Sequence, residues 1–103
     1  MDIFSALADP NRRHIVELLA KKGQLSASDI SDQFDVSPPA ISQHLKVLRE
    51  ADIVTMEKRA QQRIYQINPS KFKELERWVK KLTELWDQRF SSLDRLLEKQ
   101  KRK

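Results

Sequence analysis

Between Ser37 and Lys46 the chain reads SPPAISQHLK, and several of these side chains suit hydrogen bonding to a flat, edge-presenting partner. Gln43 carries an amide that donates and accepts at once, the pattern that pairs with an adenine edge through two hydrogen bonds. Ser42 beside it can meet a base or a phosphate. Lys46, one helical turn later, is a point charge suited to a phosphate, a contact that positions without specifying. His44 has two readings, a ring packed or capping against its own fold, or a further contact to the same partner. A second cluster follows at Lys58, Arg59, Gln61, Gln62 and Arg63. It could follow a nucleic-acid backbone or minor groove, or be the solvated tip of a hairpin.

The elements that must position these groups are legible from periodicity. Pro38 and Pro39 fix a helix start rather than break a helix: Ser37 is a good N-cap, and a proline in the first turn lacks only an N–H that would have been unpaired there. Ile41, Leu45 and Leu48 fall at i, i+4 and i+7 and form a core stripe. Pro38, Pro39, Ser42, Gln43 and Lys46 lie off that stripe, toward the N-terminal half. Asp52 sits where this helix must stop, and Asp tolerates a left-handed conformation better than most residues.

Upstream, Asp2–Ala8 is a short apolar piece with Ile3, Phe4 and Leu7 on one side. Asp9-Pro10 opens a helix through NRRHIVELLAKK, which Gly23 ends as a left-handed cap. Leu25 reads as an extended link. Ser26 with Asp29 makes a capping-box-like start to a short helix with Ile30 and Phe34 inward. DVS is a tight turn. Downstream, IVTMEK and RIYQI read as two strands around RAQQ. From Pro69 to Lys103 one long helical pattern runs for about 50 Å. Two short helices joined by a tight turn make a helix-turn-helix, a following hairpin makes it winged, and the second helix is then the one to enter a major groove by its N-terminal end.

Composition narrows the class. The 103 residues fit one domain and carry a net charge of +5, with a pI near 9.7. A basic balance suits a polyanion, nucleic acid or an anionic surface. The surplus lies beyond Pro69, where eleven Lys/Arg face six Asp/Glu, while the rest of the chain nets to zero. Charge alone therefore does not mark the middle of the chain. There is no cysteine, so disulfides, thiol catalysis and thiolate metal sites are excluded. No apolar run suggests a secretory signal or membrane span, and a cytoplasmic protein is expected. No nucleophile–base pair, phosphate loop or metal-ligand spacing supports an enzyme, and no aromatic platform supports single-stranded RNA binding.

Three stretches together resemble the ArsR/SmtB family of bacterial winged helix-turn-helix repressors: FSALADPNRRHIVELL (Phe4–Leu19), VSPPAISQHLKVLREADIV (Val36–Val54) and RIYQINP (Arg63–Pro69). The resemblance implies a homodimeric repressor, often released from DNA by a metal, metalloid or other signal. The family's cysteine metal site maps onto Leu25–Asp29, where Ser26 and Ser28 replace the thiolates, and Ser is a poor ligand for soft metals. Its other site uses His and carboxylates on the last helix. Here that helix holds Glu84, Asp87, Asp94 and Glu98, whereas His14 and His44 lie elsewhere. No metal and no cofactor are expected. The family often has Gly at the positions of Asp52 and Ala60, and Gln and Ser at those of Pro38 and Pro39, so an operator sequence does not carry over.

On the last helix Trp78, Leu82 and Trp86 share a face, joined by Phe72, Phe90 and further leucines. The resemblance implies that first and last helices pair across a two-fold axis, with Ile3, Phe4 and Leu7 against Leu82, Leu85, Trp86 and Leu93. A two-fold dimer predicts an inverted-repeat operator with recognition helices ~34 Å apart. The expectation is thus a mainly α fold with a small β-hairpin, a winged helix-turn-helix over residues 1–68 and a dimerisation helix over 69–103, forming one integrated domain. Its partners are double-stranded DNA and a second copy, with no membrane and an effector left unknown. The competing class is a winged-helix protein-interaction module with a coiled-coil C-terminal helix.

Overall fold

The computed structural model describes residues 2–101, excluding the side chains of 92–94 and 98–101. Leu93, Asp94 and Glu98 therefore lie outside the described side chains. The order is α1 (Ile3–Ala6), α2 (Pro10–Lys22), β1 (Gln24–Ser26), α3 (Ala27–Ser31), α4 (Pro38–Glu50), β2 (Val54–Arg59), β3 (Gln62–Ile67) and α5 (Pro69–Lys101). It is a mainly helical winged helix-turn-helix. The chain parts into two compact units inside α5, after Lys71.

Local chemistry accounts for the helix ends. The Asp9 carboxylate accepts the N–H groups of Asn11 at 2.8 Å and Arg12 at 3.2 Å, and Pro10 opens α2. Ser26 Oγ accepts from Asp29 N at 3.1 Å, and Ser37 Oγ from Ala40 N at 3.3 Å. Each oxygen satisfies a donor that the first turn leaves over. Gly23 ends α2 with φ 88° and ψ −80°. The positive φ was expected, but ψ lies outside the left-handed helical well, and only glycine adopts this geometry cheaply.

The end of α4 is a Schellman motif with an aspartate where glycine is usual. Asp52 N donates to Arg49 O and Ile53 N to Leu48 O, each at 3.0 Å. Asp52 adopts φ 59°, as expected for a left-handed stop. Ile53 and Leu48, whose contact normally accompanies this motif, are both fully buried. Asn68 then fastens the start of β2 and the end of β3, donating from its backbone to Ile53 O and from Nδ2 to Asp52 O.

The sheet has three strands in the order β1-β3-β2, all antiparallel. Leu25 is thus part of a strand, paired with Tyr65, rather than a link. Three residues carry too little periodicity to register as a strand. The wing turn is two residues, Ala60-Gln61, between Arg59 and Gln62, tighter than the four-residue RAQQ loop expected. Only the first of the two has positive φ, 54° at Ala60, which is the type II′ requirement usually met by glycine. The turn between α3 and α4 is longer than DVS, running over residues 32–37.

The core of the first unit is aliphatic: Ile15, Leu19, Ile30, Ile41, Leu45, Leu48, Ile53 and Val54 are all essentially inaccessible. The expected stripe of α4 is therefore the buried one. In α1 the buried residues are Ile3 and Ala6, while Leu7 is half-buried and Phe4 exposed. Ala6 thus replaces Phe4 and Leu7 on the inward side, since i and i+3 share a face on so short a helix. Taken by itself, α5 carries a long apolar stripe of Trp78, Val79, Leu82, Leu85, Trp86, Phe90, Leu96 and Leu97, each 45–65% exposed.

Candidate nucleic-acid interface

Burying Ile41, Leu45 and Leu48 turns the opposite face of α4 outward. Pro38, Pro39, Ser42, Gln43 and Lys46 are all exposed there. The side chains of Ser42, Gln43 and Lys46 make no hydrogen bond or ion pair among the described residues, so their polar ends face solvent unpaired. The two prolines set the backbone of the first turn, and their rings stay out of the core. The face is narrow and free of bulky side chains, a shape that lets a helix end approach base edges.

His44 sits differently. It is half-buried, and its Nδ1 lies 3.4 Å from Arg12 Nη1. Arg12 can only donate, so the tautomer that fits this contact has Nδ1 as acceptor and the proton on Nε2. The ring is thereby tied to α2 and keeps one donor for another partner. The same Arg12 donates from Nε to Ala6 O at 2.5 Å and from Nη2 to Ser5 O at 3.3 Å. Arg13 Nη1 donates to Leu7 O at 2.8 Å and to Ala8 O at 3.1 Å. Both arginines thus close the open carbonyl end of α1.

Sequence reasoning gave Arg12 and Arg13 no role. The signal was present: two adjacent cations in the first turn of a helix oppose its dipole, so their favourable partners must lie elsewhere. Asp9, beside them, is electrostatically placed as well. Partial desolvation would raise its carboxyl, but the backbone N–H groups of Arg12 and Asn11 outweigh that and hold it below the ordinary value of 3.8.

In the wing, pleating sorts the charged residues onto two faces. Lys58 pairs with Arg63 in the row that continues Val54–Ile67 and Met56–Tyr65, the side that covers the core. Arg59 is on the other face, where Nη2 meets Glu57 Oε2 at 3.0 Å and Nη1 donates to Gln24 Oε1 at 3.3 Å. Gln24 Nε2 in turn donates to Gln66 Oε1 at 2.8 Å. Arg59 is folded back along the sheet. Gln61 and Gln62 are exposed at the turn.

Recognition helix and wing thus belong to one compact unit, and the residues singled out on each are exposed or half-exposed. Of the residues expected at a dimer face, Ile3 is buried and Leu7 half-buried, while Phe4, Trp78, Leu82, Leu85 and Trp86 are exposed.

Residues 9–56 match the family model described as bacterial regulatory protein, arsR family. The chain is 35% identical to the transcriptional repressor SdpR of Bacillus subtilis over 76% of this chain and 86% of that protein. It is 38% identical to the arsenical resistance operon repressor of Staphylococcus xylosus over 64% of this chain and 62% of that protein. Among solved structures it resembles an ArsR-like transcriptional regulator from Rhodococcus sp. RHA1, with a TM-score of 0.78 and 26% identity over 91% of this chain and 88% of that one. The chain belongs to the arsR family of bacterial regulatory proteins and is a DNA-binding transcription regulator, not an enzyme.

Proposed function

We propose that the protein is a homodimeric repressor that binds an inverted-repeat operator in the cytoplasm and does not sense metal. The observation that carries this reading is the exposed, unpaired N-terminal face of α4. Gln43 reads a base there, Ser42 a base or phosphate, and Pro38 and Pro39 hold the helix end against the groove. Lys46 engages a phosphate, as do Lys58, Arg59 and Arg63 with Gln61 and Gln62 in the wing. His44 contributes its Nε2 donor. Repression as the sign of regulation is supported by the named repressors among the relatives.

The dimer reading rests on α5. An exposed stripe including two tryptophans and a phenylalanine is far more apolar than a solvated helix face, and such a surface marks an interface. Trp78, Leu82, Leu85, Trp86 and Leu93, with Ile3, Phe4 and Leu7 of α1, form it with a second copy. The absence of metal sensing is supported at α3. Of the two serines in the positions of the family's thiolates, Ser26 is buried and its hydroxyl is already committed to the backbone of Asp29.

Fluorescence anisotropy with duplex from the protein's own upstream region, against scrambled duplex and at two salt concentrations, tests the proposal. Salt-steep, sequence-preferring binding is expected, and Gln43→Ala should weaken the cognate duplex by about 1–3 kcal/mol more than the scrambled one. No binding to any duplex at low salt would refute it. Sedimentation equilibrium should give the dimer mass, and a monomer at micromolar concentration would overturn the α5 interface.

A further inference from the structure

The start of α3 and the tip of the wing enclose a cleft of about 200 Å³ lined by Ser26, Ala27, Ser28, Gln61, Gln62 and Arg63. Its walls are small or polar. Ser26 is spent as a helix cap, but Ser28 is exposed and its hydroxyl has no partner among the described residues. A second cleft of about 280 Å³ shares Ala27 and Ser28 and continues past Ser31 to Pro38 and Ser42. The two adjoin at Ala27 and Ser28, and the trough they make between the wing and the recognition face is lined by polar groups together with Ala27, Pro38 and Ile41.

Charge gives the trough its ligand. Lys58 and Arg63 stand directly opposite each other on neighbouring strands and on the same face. Like charges so placed repel and destabilise a sheet. Neither forms an ion pair among the described residues, in contrast to Arg59, which has Glu57. Arg63 lines the serine-containing cleft without a neutralising partner and with a second cation, Lys58, across from it on β2, which makes the cleft complementary to an anion with several acceptor oxygens. Asp32, one helical turn beyond Ser28, lines the second cleft and is not among the residues lining the first, so the wing cleft alone is suited to such an anion.

We propose that this cleft seats a phosphodiester of the DNA backbone, held by Arg63 of the wing and by the Ser28 hydroxyl of α3. The inference rests on the reading that the chain binds duplex DNA. It adds Ser28, a residue outside both the recognition helix and the wing, as a second grip on the same phosphate. The trough then sets the path of the backbone between the wing and Ser42, and so fixes the register in which Gln43 meets the bases. Because a phosphodiester has no sequence, the seat contributes equally to every duplex.

The test is a double-mutant cycle on the full chain, with Ser28→Ala, Arg63→Gln and the double variant titrated by anisotropy into upstream and scrambled duplex. Ser28→Ala should weaken both duplexes by the same factor, about three- to tenfold, the range for a lost hydrogen bond. Arg63→Gln should reduce the slope of log K against log salt by about one. The double variant should lose less than the product of the single losses, since both groups hold one phosphate. Wild-type affinity for both duplexes in Ser28→Ala, or strictly multiplicative losses, would overturn the seat while leaving the DNA reading intact. Failure of the wild type to bind any duplex would overturn both. A titration with inorganic phosphate, followed by the amide shifts of Ala27 and Ser28, separates the sources. Saturation by free phosphate below millimolar concentration would assign the cleft to a soluble anion instead.

Discussion

Neutralising Glu57 should tighten DNA binding. In the free protein the Glu57 carboxylate holds Arg59 at 3.0 Å, with side chains 63% and 52% exposed. Such a pair is worth about 0.2–1 kcal/mol. For Arg59 to reach a phosphate it must give up that partner, and Glu57 must then stand near the polyanion. Glu57→Gln removes the first cost. At 1.4 kcal/mol per factor of ten, the recovered energy corresponds to an affinity gain of about 1.5- to fivefold. Relief of repulsion between the carboxylate and the duplex adds to it at low salt, and the gain should shrink as the Debye length falls below ~10 Å above 0.1 M salt. Folding stability should move by no more than about 0.5 kcal/mol, as for most surface substitutions. Anisotropy titrations of wild type, Glu57→Gln and Arg59→Ala at 50 and ~200 mM salt measure this. Glu57→Gln binding more weakly would mean that Glu57 aims Arg59 rather than competing for it. An unchanged affinity in both variants would mean that this face of the wing does not approach DNA.

Ala60→Gly should stabilise the protein. A left-handed L-residue costs about 1–2 kcal/mol and the extra freedom of glycine when unfolded returns about 0.5–1, leaving a gain of about 0.5–1 kcal/mol and a rise of several degrees in Tm by calorimetry. Arg12→Ala should destabilise by about 1–3 kcal/mol in urea unfolding, because the Ala6 carbonyl loses its guanidinium donor and that of Ser5 keeps only backbone N–H donors; Arg12→Lys should recover only part, lacking the fork that reaches both carbonyls and His44. The pH dependence at Asp9 has a definite sign. Its folded value is depressed, so the stabilisation it provides is complete above the ordinary 3.8 and lost as pH falls through the lower folded value. Asp9→Asn keeps the cap and should flatten the acid limb of the stability–pH curve, with little change in shape between pH 5 and 7.

Much of the fold was legible because its signals are local. Asp9-Pro10, Ser37-Pro38 and the stop at Asp52 are capping chemistry that acts within three or four residues, and the chain obeys it. The stripe Ile41, Leu45 and Leu48 is a period, and any helix there must bury it. That stripe by itself determines that Ser42, Gln43 and Lys46 face outward, so the candidate reading face was available before any tertiary information. The absence of cysteine likewise disposed of thiolate chemistry without coordinates.

Other features belong to tertiary structure because their partners are distant in sequence. β1 exists only through pairing with β3, some forty residues later; alone, Gln24–Ser26 has no preference strong enough to announce a strand. The roles of Arg12 and Arg13 depend on how α1 folds back over α2. Whether His44 packs or projects was undecidable until Arg12 was placed beside its Nδ1. The wing cations looked alike in sequence, yet strand register put Lys58 and Arg63 together on one face and gave Arg59 a carboxylate on the other. Sequence dictates which groups a segment can offer and which way a helix or strand must turn them. Register and long-range packing decide which of those groups meet, and the trough beside Ser28 is made only by that meeting.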